Sequence, residues 1–209
     1  MPLGESARTA PRRTRPAILI ALAVGVTALV GVFLHQLPSL SPDSAIEIPH
    51  GDRHGPPGLT MADGSVPDGV TVFVTDIPAV TKLKPALLDA LRKAAKDAEE
   101  VGIQFVVNSG WRSAEHQERM LRDAVSKYGS KEEAARWVAT AEKSLHVSGD
   151  AVDLGPAKAT TWLAKHGAEY GLCRIYGNEP WHFELRPKAV RNGCPLPYAD
   201  PTQDPRMRR

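Results

Sequence analysis

The sequence predicts an α+β protein, in which a small antiparallel sheet is flanked by helices and preceded by one transmembrane helix. Three observations favour this fold class. Residues 17–34 form an uncharged apolar run, residues 84–101 carry apolar side chains at helical spacing, and two β-rich stretches, 172–176 and 181–185, flank a short turn. With 42% hydrophobic and 24% charged residues, the chain has the composition of a globular protein.

The N-terminal apolar run predicts a membrane span. As a helix rising 1.5 Å per residue it is about 27 Å long, against a hydrocarbon core of about 30 Å. Four arginines precede it, so the positive-inside rule places residues 1–16 in the cytoplasm and the chain after residue 35 outside. We expect an uncleaved anchor over residues 17–35. A cleaved signal peptide is the alternative, and either one exports the rest of the chain.

Composition divides the remaining chain into three parts. Residues 36–68 are dense in Pro, Gly, Ser and Asp and predict a linker, whereas residues 69–194 contain the periodic segments of one domain. Residues 195–209 are rich in Pro, Asp and Arg and predict a disordered tail. The net charge of +2 is small, and much of the basic excess lies at the two ends, so we expect no nucleic-acid partner.

The predicted elements of the domain follow from hydrophobic periodicity. In chain order they are strand 70–75, helix 84–101, strand 103–107, helices 114–127 and 131–143, strand 151–154, helix 160–170, and the hairpin of 172–176 with 181–185. Arg112 lies in the loop after the second strand. Its planar guanidinium suits a carboxylate or an oxyanion, and a surface arginine packed on Trp111 is the alternative. We expect His116 to lie on an exposed helix surface.

Two histidines and an aspartate are candidate metal ligands. His146, Asp153 and His182 match a known ligand set of catalytic zinc, which leaves the fourth corner of a tetrahedron to water. Gly149 lies midway between the first two, where it allows the backbone to bend so that both face one ion. Glu179, three residues before His182, is placed to act as the general base. The pattern is typical of a peptidase with one zinc ion.

Three blocks of residues resemble one known family. They are Ser-Gly-Trp-Arg-Ser at 109–113, Ser-x-His-x-x-Gly-x-Ala-x-Asp at 144–153 and Glu-Pro-Trp-His at 179–182. In order and spacing they are similar to the zinc D-alanyl-D-alanine carboxypeptidases and D,D-dipeptidases of the VanY and VanX type. The resemblance covers roughly residues 70–190, and the stretch before Glu179 looks short for the family.

The resemblance implies an enzyme that removes the terminal D-Ala from peptidoglycan stem peptides ending in D-Ala-D-Ala. It implies that Arg112 steadies the oxyanion or holds the substrate, and that Gln117 supports the site. Ser113, Ser144 and Trp181 are further substrate-binding candidates, although a helix N-cap, a turn and core packing explain them equally well. The alternatives are a D,D-dipeptidase, a cell-wall endopeptidase, and a non-catalytic zinc-containing module that binds wall peptide.

The two cysteines of the chain predict a disulfide. Cys173 and Cys194 are the only pair, and an exported domain lies in an oxidising space. A zinc site built from these thiols is the alternative.

For localisation, we expect a catalytic domain outside the cell membrane, held there by one spanning helix, or secreted if that segment is cleaved.

Overall fold

The computed structural model describes residues 58–208. The predicted anchor over 17–35 and most of the predicted linker lie outside this range. Within residues 58–208, no helix has both the length and the apolar character needed to span a bilayer.

A four-stranded sheet with the strand order β1-β2-β4-β3 forms the centre of this region, and every pair in it is antiparallel. The predicted hairpin is confirmed, because its two stretches pair as β3 and β4. The strands are β1 Val106–Ser109, β2 Ala151–Gly155, β3 Leu172–Arg174 and β4 His182–Leu185.

Helices pack against one face of the sheet. The longest begins at a proline, which is pre-organised for a first helical position, and buries the leucine and alanine face that the sequence predicts. Among the described residues, the α-helices are α1 Pro78–Thr81, α2 Pro85–Glu100, α3 Ala114–Tyr128, α4 Lys131–Ala134, α5 Ala157–His166 and α6 Ala189–Asn192. Short 3-10 helices span Met61–Asp63, Gly167–Tyr170, Pro201–Gln203 and Pro205–Met207.

The sheet separates an apolar core from a polar face. Val152, Leu154 and Phe183 are each at most 1% exposed and belong to one core cluster with the apolar side chains of α2 and α5. Burial of each such side chain stabilises the fold by about 1.5–3 kcal/mol. Because side chains alternate along a strand, Asp153 and His182 lie on the opposite face. Packing in the core therefore fixes the register of these strands, and with it the positions of the side chains on the polar face.

Three predicted elements differ from the structure. The stretch 70–75 forms a single bridge, Thr71 with Val106, because the chain turns there and Val74 N donates to Thr71 O. The strand predicted over 103–107 lies at 106–109, where it pairs with β2. The helix predicted over 131–143 ends at Ala134. Beyond it the chain enters turns, and a tertiary hydrogen bond from Gln117 occupies the carbonyl of Ala139.

Both ends of the described region are folded. Composition predicts a linker at the first end and a disordered tail at the second. Residues 60–65 form a capped 3-10 turn, and Asp63 O accepts a hydrogen bond from Ser113 N. Near the other end, Asp200 and Asp204 are buried and cap the last two 3-10 helices. The prediction of a disordered tail is wrong for these residues. The two aspartates make the tail polar, but in the fold they accept hydrogen bonds as helix caps and form ion pairs with arginines.

Candidate metal centre

Strand register brings two of the predicted ligands together. Asp153 in β2 pairs directly with His182 in β4, so their side chains are neighbours on the polar face of the sheet. Asp153 Oδ1 lies 3.1 Å from His182 Nδ1. Next to them, β1 pairs Ser109 with Asp153 beyond a register shift between Val107 and Ser109. The segment that leads to Arg112 therefore begins at the same site.

His146 approaches from the turn before β2. Gly149 in this turn has φ +75°, and a Cβ there would lie 2.5 Å from Lys82 O, so the predicted bend requires glycine. The carbonyl of Gly149 accepts a hydrogen bond from Lys84 N, which holds the turn against the start of α2. The His146 ring lies with its Nδ1 2.9 Å from Gly110 O. A carbonyl only accepts, so Nδ1 carries the proton and Nε2 is free to bind a metal.

The three candidate ligands form one cluster. One donor atom from each of His146, Asp153 and His182 lies within 4.8 Å of the other two. His146 Nε2 is 3.3 Å from His182 Nδ1 and 3.4 Å from Asp153 Oδ1. Both imidazoles are buried, and the carboxylate is 15% exposed. Two nitrogens and one oxygen in this arrangement fit a tetrahedral ion with one open position.

The charges of the cluster favour a cation. Burial raises the pKa of Asp153, but the charges and hydrogen bonds of His146 and His182 outweigh it and hold that pKa well below its usual range. Burial, Arg112 and His182 lower the pKa of His146. For His182, burial is outweighed by hydrogen bonds to Asp153 and Glu184, which raise its pKa to about 10. The metal-free cluster therefore holds one proton at the place where a metal ion would bind.

Glu179 lies beside this cluster. Its Oε2 is 3.7 Å from His182 Nδ1, and the residue is 8% exposed. The other oxygen, Oε1, is buried and has no hydrogen-bond partner among the described residues. Burial raises the pKa of Glu179 to about 7, an effect that Asp153 reinforces and that His182 and Arg112 oppose. An unpartnered carboxylate oxygen with such a pKa has the properties of a general base.

Arg112 is buried at the site, so the alternative of a surface arginine is wrong. Its side chain is 5% exposed, and Nη2 lies 2.8 Å from Ser109 Oγ and 3.6 Å from Asp153 Oδ2. A second nitrogen donates to the sulfur of Met120. Burial lowers the pKa of this guanidinium, whereas Asp153 and Glu179 oppose the shift. The site therefore contains a fixed cation beside two carboxylates.

Three of the four remaining site candidates have hydrogen-bond partners within the domain. Ser113 Oγ accepts from His116 N as the N-cap of α3, and Ser144 Oγ accepts from Val147 N. Gln117 is buried and donates to Ala139 O, while its Oε1 has no partner among the described residues. Trp181 is half-buried next to His182. Substrate contacts of Ser113, Gln117, Ser144 and Trp181 stay predictions.

The expectation that His116 is exposed is wrong. It is 7% exposed, because residues 60–64 cover the start of α3, and its Nδ1 lies 3.0 Å from Asp63 O. Burial lowers the pKa of His116, the hydrogen bond that its ring donates to the Asp63 carbonyl opposes this, and nearby Arg112 adds to the lowering. His116 is therefore a buried packing residue whose ring binds a backbone carbonyl.

Sequence reasoning missed a carboxylate that holds one ligand. Glu184 Oε1 is 3.4 Å from His182 Nε2, since residues two apart on a strand project from the same face. Burial raises the pKa of Glu184, but hydrogen bonds from His182 and Arg206 outweigh it and lower that pKa to about 2. The His-x-Glu spacing on a predicted strand contains the signal for this contact. No comparable signal marks Arg206.

The predicted disulfide is confirmed. Cys173 and Cys194 are bonded, with Cα atoms 5.5 Å apart. The bond links β3 to the chain after α6, and it excludes these thiols as zinc ligands in this structure.

Comparison with known proteins agrees with this geometry. The sequence profile of the VanY family, D-alanyl-D-alanine carboxypeptidase, matches residues 80–188, just over half of the 209-residue chain. The chain belongs to this family. The three candidate ligands, Glu179 and Arg112 all lie inside the part that matches the VanY family.

Individual relatives of the VanY family are distant. A D-alanyl-D-alanine carboxypeptidase of Enterococcus faecalis (strain ATCC 700802 / V583) is 28% identical over 127 residues, which are 49% of this chain and 46% of that protein. This chain therefore matches less than half of that relative's length.

Two solved structures share parts of the fold. VanYB in complex with D-alanine-D-alanine is 23% identical, with a TM-score of 0.51 over 62% of this chain and 88% of that one. A variant of the vancomycin-resistance D,D-pentapeptidase VanY in complex with Zn(II) is also 23% identical, with a TM-score of 0.48 over 54% and 80% of the two chains. The first of these likenesses supports the fold.

Proposed function

We propose that this protein is a zinc-dependent peptidase that removes the C-terminal D-Ala from peptidoglycan stem peptides ending in D-Ala-D-Ala. One observation carries the proposal. A His-Asp-His cluster with two buried imidazoles lies beside a buried glutamate that has one oxygen unpartnered among the described residues and, in the metal-free cluster, a pKa of about 7. Membership in the VanY family supports the substrate class.

The residues present fit one zinc ion. His146 Nε2, Asp153 and His182 Nδ1 would hold it, since the second nitrogen of each histidine is engaged by a carbonyl or a carboxylate. When bound, zinc supplies Lewis acidity, which lowers the pKa of water to about 7 and polarises a carbonyl. The zinc complex of a VanY variant and the D-alanine-D-alanine complex of VanYB are consistent with this assignment.

The residues of the chain supply proton transfer and charge. Glu179 accepts a proton from the attacking water and delivers it to the leaving amine of D-Ala, because one of its oxygens has no partner among the described residues and the other lies 3.7 Å from His182 Nδ1. Arg112 is a fixed cation beside the cluster and balances negative charge on the substrate during attack. Ser113, Gln117, Ser144 and Trp181 are the proposed substrate contacts around these two groups.

We also propose that the domain works outside the cytoplasm, attached by the segment over residues 17–35. The disulfide supports an oxidising compartment, since such bonds are rare in the cytosol. The four arginines before the apolar run support the orientation.

The test is release of D-alanine from a stem pentapeptide ending in D-Ala-D-Ala by the fragment 58–209. Wild type, Glu179→Gln, Glu99→Gln and a chelator-treated sample are compared, with zinc content measured for each. Glu99 is an exposed carboxylate near the end of α2 and serves as the matched control. We expect zinc to stay bound in both variants, and D-alanine release to fall about 10²–10⁴-fold in Glu179→Gln alone.

Other outcomes would replace this proposal. Cleavage of the free dipeptide but not of the pentapeptide would make the protein a D,D-dipeptidase. Stoichiometric zinc without hydrolysis of either peptide or of intact cell wall would make it a module that binds wall peptide. Full activity in Glu179→Gln would remove Glu179 from the role of base.

A further inference from the structure

The C-terminal segment, residues 198–207, is built into the candidate site. Its backbone pairs with the chain just before Glu179: Tyr198 N donates to Ile175 O, and Gly177 N donates to Tyr198 O. The family profile ends at residue 188, so this segment lies beyond the matched part. The segment nevertheless contacts residues within one or two positions of the proposed base.

Arg206 of this segment binds the carboxylate of Glu184 with both terminal nitrogens. Nη1 lies 2.8 Å from Oε2, and Nη2 lies 3.1 Å from Oε1. Glu184 is 2% exposed, so these bonds are shielded from water. Arg186 also reaches Glu184, with its Nη2 2.7 Å from Oε2. The fork of Arg206 contacts both oxygens and thereby fixes the rotation of the carboxylate.

Arg206 is itself held in place. Asp204 is fully buried and accepts from the Nε and backbone nitrogen of Arg206, at 3.0 and 2.9 Å. The hydroxyl of Tyr176 donates to the other oxygen of Asp204, at 3.1 Å. The bonds to Asp204 therefore fix the orientation of the Arg206 guanidinium, although this side chain is 36% exposed.

The chain of contacts ends at His182. Its Nε2 lies 3.4 Å from Glu184 Oε1, the oxygen that also contacts Arg206 Nη2. The ring's other nitrogen, Nδ1, faces Asp153 and His146. A carboxylate that accepts from Nε2–H keeps the ring in the tautomer and orientation that present Nδ1 to a metal.

We infer that Arg206 is a positioning residue, which orients His182 toward the metal through Glu184 and so makes the C-terminal segment part of the site. The inference rests on the proposed function, in which His182 is a zinc ligand. Arg206 touches neither substrate nor metal in this scheme. Loss of such outer partners typically lowers metal affinity 10–100-fold.

The experiment measures zinc dissociation constants of the full chain in detergent micelles, by competition with a chromophoric chelator. Wild type is compared with Arg206→Gln and with Arg208→Gln. Arg208 is the matched control, since it follows the segment directly, is exposed, and binds Thr202 O and Gln203 instead. We expect Arg206→Gln to weaken zinc binding about 10–100-fold and Arg208→Gln to leave it within about twofold of wild type.

A second readout separates positioning from general stability. The imidazole nitrogen NMR spectrum of zinc-loaded wild type should show His182 with Nε2 protonated and Nδ1 bound to metal, and Arg206→Gln should show this signal broadened or shifted. Arg206→Lys keeps the charge but not the fork, so we expect intermediate zinc affinity. If Arg206→Gln does not fold, as judged by circular dichroism, the lysine variant decides.

The outcomes distinguish this inference from the proposed function. Zinc affinity and His182 signals equal to wild type in folded Arg206→Gln would overturn the positioning role while leaving the peptidase intact. The positioning role would also be overturned if Arg208→Gln weakened zinc binding as much as Arg206→Gln. Wild type that binds no zinc would overturn both.

Discussion

At the scale of single residues, the two histidines face the cluster through different ring nitrogens. His146 presents Nε2 because Gly110 O accepts from its Nδ1, and His182 presents Nδ1 because Glu184 accepts from its Nε2. Each ring therefore has one nitrogen engaged outside the cluster and one facing it. In the metal-free state the pKa shifts assign the shared proton to His182.

This assignment predicts how zinc affinity depends on pH. The pKa of His182 is raised to about 10, so at pH 7.5–9 its ring is protonated and must release one proton when Nδ1 binds zinc. Protons compete with zinc, so affinity should rise about tenfold per pH unit across this window. The measurement is the zinc dissociation constant at several pH values, with proton release counted by calorimetry in buffers of different ionisation enthalpy.

Glu184→Gln is the companion variant for this prediction. It removes a carboxylate that raises the pKa of His182, so we expect a shallower pH dependence above pH 7.5. Zinc affinity that stays flat between pH 7.5 and 9 in wild type would contradict the assignment of the proton to His182.

At the scale of elements, the turn over residues 60–64 acts as part of the Arg112 loop. Asp63 O accepts from Ser113 N, and Gly64 packs directly against the same loop. A Cβ on Gly64 would lie 2.3 Å from Trp111 O and 2.6 Å from Arg112 Cα. The domain therefore begins before residue 69, and its first turn supports the buried guanidinium.

Gly64→Ala should destabilise the domain and displace Arg112. Its φ of +93° is unfavourable for alanine, by about 1–2 kcal/mol, and the contact with Trp111 adds overpacking of about 1–3 kcal/mol. Gly129→Ala is the matched control, since φ is +83° there but nothing lies within 4 Å. Urea unfolding of fragment 58–209 measures both. Equal losses of unfolding free energy in the two variants would show that the close approach at Gly64 has no cost.

At the scale of the whole described region, the disulfide and the C-terminal segment close the same part of the molecule. Cys173 and Cys194 join positions 21 residues apart, and the closed loop contains both Glu179 and His182. After the second cysteine the chain returns to pair with residues 175–178. The proposed base and one candidate ligand thus lie in a stretch that is tethered covalently and by backbone hydrogen bonds.

Removal of the disulfide should lower stability more than it changes the site. On the chain-entropy model, a closed loop of this length contributes about 3 kcal/mol. We expect the double variant Cys173→Ala with Cys194→Ser to lose about that free energy of unfolding and, once folded, to keep its zinc stoichiometry. Chemical denaturation and metal analysis measure the two quantities. Unchanged stability would show that the C-terminal pairing alone closes this loop.

Local patterns predict much of this protein, because their causes are local. The apolar face of α2 follows from helical spacing, and the Ser113 N-cap and the Gly149 bend follow from single residue types. The stretch 70–75 shows the limit. Alternating apolar and polar residues predict a half-buried segment there, and Val72 is indeed buried. This pattern does not determine whether the backbone pairs with another strand, and only one bridge forms.

Residue types at short spacing predict the candidate ligand set, the proposed base, the disulfide and the antiparallel sheet, and the last two are confirmed. Three contacts are visible only in the folded chain: His116 is buried, Arg112 lies beside Asp153, and Arg206 reaches Glu184 from the far end of the chain. The physical reason is that these contacts join segments distant in sequence. Their partners are selected by packing and by the need to pair buried charge, which no short stretch of sequence encodes.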